Sequence, residues 1–247
     1  MALSTCPKCS YQRLPSDAHI HAGVCPACGI AYQKFLDRQQ RVPVEIEPVP
    51  QRGGQLTSRL LELPPALDGI TVGARGLAWC ALALWTAWFT LHGINWEIIG
   101  GSFLHNMILP FHEFGHVLFM PFGRFMTILG GSLFQVLMPL GLMVAFIVKQ
   151  RDTFGAAVML WWSGQSLVDL APYIADAVHR YLPLVGGGGE ASHDWGNLLT
   201  MLHLLEHTQA LARTSFVLGV LVMLAGLAWG ALLLRLQYAK MSALPRD

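Results

Sequence analysis

Residues 112–116 read His-Glu-Phe-Gly-His, an H-E-x-x-H pattern inside an otherwise apolar stretch. On a helix, positions i and i+4 share a face, so His112 and His116 can turn two imidazoles toward one ion. Glu113 is placed to take a proton from a water held by that ion. Ionisable groups at membrane depth are costly, and three in one turn call for a function. Pro110 lets a helix start or kink just before the pattern, and Gly115 keeps one position small. The competing reading is a pair of histidines hydrogen-bonded within a helix bundle, holding nothing.

Two histidines do not complete a catalytic zinc site, which takes three protein ligands and a water. Asp169, Asp176, His193 and Asp194 are the candidates for the third. Asp169 and Asp176 are spaced for one helical face. Pro172 between them is expected to break the helix and bend Asp176 inward. His193 and Asp194 follow the tract Gly186 to Gly189, which would let a loop fold back over the site. Against ligation, Asp194 can cap a helix over 197–212, and Asp169 can pair with Gln135 or Gln165. His105 and Asn106, about two turns before His112, read as supporting or packing groups.

A second cluster lies at the start of the chain. Four of the five cysteines form Cys6-x-x-Cys9 and Cys25-x-x-Cys28, with fifteen residues between the pairs. This is zinc-ribbon spacing, and four thiolates fill a tetrahedral shell with no open position, so the ion there is structural. Two disulfides, or iron in the same cage, are the alternatives. Reduced thiols place this segment in the cytoplasm. Cys80 sits in an apolar run and reads as a small buried hydrophobe.

These groups need elements to position them. The chain has 247 residues, 53% hydrophobic and 13% charged. A soluble domain carries about a quarter charged residues, so the composition points to a membrane protein. The net charge of +1 and the unremarkable charge of the first forty residues exclude a general nucleic-acid binder. Three parts follow: a zinc ribbon and short polar helix (1–41), a Pro/Gly-rich linker and juxtamembrane segment (42–75), and a membrane domain (76–240). Apolar runs at 77–94, 98–123, 125–148, 154–175 and 215–234 give about four to five spans. The expected fold is mainly α, a polytopic membrane helix bundle preceded by a small zinc ribbon. Arg52, Arg59 and Arg75 before the first run put the N-terminus inside. If all five runs cross, Lys149, Arg151, Arg235, Lys240 and Arg246 fall outside, so one run is expected not to cross.

Residues 111–140 (FHEFGHVLFMPFGRFMTILGGSLFQVLMPL) resemble the core of the site-2 protease family of intramembrane zinc metalloproteases. The resemblance extends over roughly 98–180 and leaves out the ribbon and the segment Ser192-His193-Asp194-Trp195. In that family the H-E-x-x-H helix is followed by a Gly-containing turn and another span. An aspartate on a later span, in a motif of the type N-x-x-P…L-D-G, completes the site. Residues 169–177 (DLAPYIADA) are similar, with Asp169 in place of asparagine, a spacing one residue shorter, and Ala177 in place of glycine. The resemblance implies Asp176 as the third zinc ligand, with Asp194, His193 and Asp169 as alternatives, and Glu113 as the catalytic base. It further implies a catalytic zinc beside the structural one, a membrane-protein or peptide substrate, and a place in a bacterial inner membrane with the ribbon in the cytoplasm. Asn106, Gln135 or Gln165 would bond an extended substrate strand. Two other classes compete: a non-enzymatic metal-binding membrane protein, such as a sensor or assembly factor with a protein partner on its ribbon, and an ion transporter. Glu113 separates them, because turnover needs it and metal binding does not.

Overall fold

A computed structural model describes residues 3–40, 55–184 and 192–243. The expected linker at 42–54, the glycine tract and Arg246 lie outside the described residues. The chain divides into two compact units, Met1–Arg52 and Gly53–Asp247.

The first unit is built from two matching knuckles. The Cys6 carbonyl accepts from the Ser10 N–H and the Cys6 N–H donates to Tyr11; Cys25 does the same with Gly29 and Ile30. Each knuckle closes on a left-handed residue, Ser10 at φ 55° and Gly29 at φ 69°. A single antiparallel bridge flanks each one, Thr5 with Gln12 and Val24 with Ala31. Arg13 ties down the intervening loop by donating to the carbonyls of Asp17, Ile20 and Val24. Tyr32, packed against Cys6 and Cys25, opens helix α1 (Tyr32–Gln40).

The second unit is helical, with no strand among the described residues. Its elements are α2 (Gln55–Leu60), α3 (Gly69–His92), α4 (Trp96–Gly100), α5 (Phe103–Phe119), α6 (Arg124–Ala145), α7 (Thr153–Ala175), α8 (Asp194–Met201) and α9 (Thr208–Ser242). Local chemistry sets several starts. The Asp68 carboxylate accepts the Thr71 N–H at 2.8 Å to cap α3, which holds its carboxyl below the ordinary range. Ser102 caps α5 and Asp152 caps α7 in the same way. Gly93, at φ 66°, ends α3.

Three helices are long and apolar enough to cross a membrane: Gly69–His92, Arg124–Gln150 and Leu205–Ser242. They leave large side chains such as Ile70, Leu77, Leu91, Val148, Val217 and Leu221 exposed, a surface suited to lipid. Helix α7 is different. Most of its residues are buried, because it runs between α6 and α9.

Small residues permit the close crossings. A Cβ on Gly164 would lie 2.6 Å from the Gly219 carbonyl oxygen and 2.6 Å from the Met223 nitrogen, both backbone atoms that cannot swing aside. Gly164→Val is therefore expected to separate α7 from α9. It should cost about 1–3 kcal/mol and lower the unfolding temperature in detergent; an unchanged melting temperature would contradict this packing.

Several expectations need correction. The run 98–123 is two helices, α4 and α5, and α5 is only 17 residues long. The helix does not break at Pro172. Pro172 falls in the last turn of α7, which continues to Ala175. The single helix expected over 197–212 is split, because the chain turns at His203 (φ 57°) between α8 and α9. The basic groups expected on opposite sides gather at one end of the bundle. Arg75 at the start of α3 bonds Asp152 and Gln237 at 3.1 Å each, Arg151 bonds Glu62, and Lys240 donates to the Pro64 carbonyl.

Candidate metal centre

The H-E-x-x-H turn lies on α5, which runs antiparallel to α6 with Gly115 against Gly130. Two hydrogen bonds fix the histidine rings. His112 Nδ1 is 2.6 Å from Gln135 Oε1, and Gln135 Nε2 donates to the Ser166 carbonyl at 3.0 Å, which fixes the amide orientation. His116 Nδ1 is 2.8 Å from the Thr127 carbonyl oxygen. Both partners are oxygens that only accept, so each neutral ring carries its proton on Nδ1. The bare Nε2 lone pairs are left to face the site.

What they face is a carboxylate. Asp194 Oδ2 lies 3.1 Å from His112 Nε2 and 3.3 Å from His116 Nε2. Three electron-pair donors converging repel each other unless a proton on Nε2 or a metal cation sits among them. The spacing has the right size for one: metal–ligand bonds of about 2.0–2.1 Å in a tetrahedron set its edges at about 3.3 Å. Such a set of two imidazoles and one carboxylate leaves a fourth position open. Gly131 presses on the same spot, since a Cβ there would come 2.5 Å from His116 Nε2 and 2.7 Å from His112 Nε2.

Of the candidates for a third ligand, one lies beside the two histidines. Asp194, not Asp176, joins the histidines. Asp176 caps the end of α7; its Oδ2 accepts the Leu182 N–H at 2.8 Å and lies 3.3 Å from His193 Nε2. His193 is fully buried and accepts the Gly196 N–H at Nδ1, so it serves as the N-cap of α8 and stands outside the cluster of His112, His116 and Asp194. Asp194 is the first residue inside that helix rather than its cap. Asp169 pairs with His105 at 2.9 Å, away from the centre and not with Gln135 or Gln165. Gln135, expected to meet substrate, instead orients His112.

Tyr173 was absent from the sequence reading. Its hydroxyl accepts the Asp194 N–H at 3.0 Å and donates to Asp194 Oδ2 at 3.3 Å, and its ring lies 4.4 Å from that of His193. One phenol thus holds both the backbone and the carboxylate of the third ligand. A polar ring beside Pro172, near the end of a buried helix, was the available signal. Groups that orient ligands in this way typically tune metal affinity by about 10–100-fold. Tyr173→Phe and Gln135→Ala are each expected to weaken metal binding by that factor in competition with a chromophoric chelator. Unchanged affinity in both would remove this supporting role.

Glu113 lines the same cavity, of about 800 Å³, together with His112, His116, Tyr173, Asp194 and Arg124. It therefore shares one chamber with the candidate ligands, as the pattern required.

The cysteines form the second metal-competent group. All four Sγ atoms lie within 4.8 Å of one another. Cys6 and Cys28 are 3.8 Å apart and Cys9 and Cys25 are 3.6 Å apart, close to the edge of about 3.8 Å set by zinc–sulfur bonds of about 2.3 Å. None is in a disulfide. Loss of solvent opposes the Cys25 thiolate, but the N–H groups of Cys28 and Ala27 outweigh it and bring the thiol down to about 6. At Cys9 a backbone hydrogen bond with Tyr11 works downward, yet loss of solvent and the neighbouring thiols push it up to about 12. Cys25 surrenders its proton readily, whereas Cys9 gives its proton up to a cation. Protons and metal compete for the same sulfurs, so metal should leave this unit as pH falls and stay as pH rises. Ion release monitored by a zinc-sensitive dye between neutral and mildly acidic pH checks the sign; release on alkalinisation alone would contradict it.

No protein-family model, curated protein or solved structure matches the chain.

Proposed function

We propose that this chain is an integral membrane, zinc-dependent endopeptidase that hydrolyses peptide bonds of membrane-protein substrates. One observation carries the reading: two imidazole lone pairs and the Asp194 carboxylate converge at 3.1–3.3 Å, in a chamber that also holds Glu113. Zinc bound there would lower the pKa of a water and polarise a substrate carbonyl. Glu113 takes a proton from the attacking water and returns it to the leaving amine, so the proton balance closes on one side chain. Tyr173 and Gln135 keep Asp194 and His112 in place through the cycle. Substrate must enter unwound, because a helical backbone is already hydrogen-bonded to itself.

The helix packing supports a topology of four crossings. With α3, α6, α7 and α9 crossing and the short α5 dipping between them, four crossings return the chain to its starting side. Arg75, Arg151 and Lys240 then share the cytoplasmic face, in keeping with the positive-inside rule. The four-cysteine zinc is structural, because its shell has no free position.

The test uses the purified protein in neutral detergent with a library of apolar peptides and mass-spectrometric readout. The account expects internal cleavages that stop with a zinc chelator and return with added zinc. Metal-loaded protein that cleaves nothing in the library or in co-reconstituted membrane proteins would point to a metal sensor instead.

A further inference from the structure

The His105–Asp169 pair is not used by the chemistry above. His105 Nδ1–H donates to Asp169 Oδ1 at 2.9 Å. Asp169 is 6% exposed on the buried helix α7, yet both residues line the cavity. The second carboxylate oxygen, Oδ2, has no hydrogen-bond partner among the described residues and is not among the sealed polar atoms, so it opens on the chamber. Trp96 lines the same end, its ring T-shaped with that of His105 at 5.2 Å between centroids. The lysine or arginine nearest by position in the cavity wall, Arg124, belongs to the other end, one turn before the Thr127 carbonyl that holds His116. A carboxylate with one free oxygen, set beside an indole and with the His105 imidazole on its other oxygen, is a receptor for an organic cation.

Distance fixes where that cation sits. His105 and His112 are seven residues apart on one face of α5, about 10 Å at 1.5 Å per residue. An extended peptide covers that in about three residues at 3.3 Å each. We propose that the His105–Asp169–Trp96 end of the chamber is a specificity subsite for a lysine or arginine side chain about three residues from the bond held at the metal centre. The inference rests on the peptidase reading for its register, but the binding of the cation does not need turnover.

The experiment therefore measures binding first. The probe is a fluorescent apolar peptide, acetylated and amidated so that only its side chain is charged, with one lysine or with norleucine in its place. It is titrated into zinc-loaded Glu113→Gln protein in neutral detergent. The lysine peptide should bind about tenfold more tightly. Asp169→Asn should erase that preference, and Trp96→Leu should reduce it without touching the carboxylate. Folding of each variant is read from its metal content; if Asp169→Asn fails to fold, Trp96→Leu decides. Equal binding of the two peptides, or a preference that survives in the folded Asp169→Asn variant (or in Trp96→Leu when that variant decides), overturns the subsite. Scanning the lysine along cleaved peptides then places it. Charge-selective binding without cleavage keeps the subsite and sinks the peptidase; cleavage without charge selection does the reverse.

Discussion

Glu113→Gln should leave both metal ions bound and reduce peptide hydrolysis on the order of 10³-fold. The amide fills the same volume and lines the same chamber, but it cannot accept the proton of the attacking water. Glu113 is not among the three groups whose donor atoms converge, so the ligand set is untouched. The variant therefore separates the classes that the sequence left in competition. A sensor or transporter built on the same histidines would tolerate it and fail when His112 or His116 is removed. Activity within a few-fold of the parent would mean that Glu113 moves no proton, and the peptidase reading would fall with it.

Gly131→Ala should empty the centre on α5 while leaving the four-cysteine ion in place. The added methyl group would stand 2.5 Å from His116 Nε2 and 2.7 Å from His112 Nε2, inside the space that a bound ion and its ligands fill. Nearby backbone gives it no retreat, since α5 and α6 already meet at Gly115 and Gly130. Gly141, on the same helix, has nothing within 4 Å of an added Cβ, so Gly141→Ala is the matched control. Metal analysis should find one ion fewer per chain in the first variant and no change in the second. An unchanged ion count in Gly131→Ala would mean that the two imidazoles do not converge as described.

What the sequence disclosed was what short-range spacing determines. His112, Glu113 and His116 fall on adjacent positions of one turn, and the cysteines sit in two local knuckles, so helix and turn geometry place them without reference to the rest of the fold. Asp194 is 82 residues from His112, and its approach depends on how α7, the following chain and α8 return to α5. No local rule ranks it above Asp176. The likeness of residues 169–177 to a family motif favoured Asp176, whereas the fold uses that residue to hold the Leu182 N–H beside buried His193. Helix number was equally hard to read. Hydropathy does not separate a helix facing lipid from one enclosed by protein, and α7 is enclosed by α6 and α9. Of the positive charges expected outside, Arg151 pairs with Glu62 and Lys240 donates to the Pro64 carbonyl, at the end of the bundle where Arg75 meets Asp152 and Gln237, a relation between distant segments.

The most direct measurement is metal content per chain in purified protein, comparing the parent with Asp194→Ala, Asp176→Ala and the double variant Cys6→Ser, Cys9→Ser. About two zinc ions are expected in the parent. Loss of one is expected in Asp194→Ala, loss of the other in the cysteine variant, and retention of both in Asp176→Ala. One ion in the parent, lost only with the cysteines, would contradict the centre on α5; loss with Asp176→Ala but not with Asp194→Ala would contradict the ligand set.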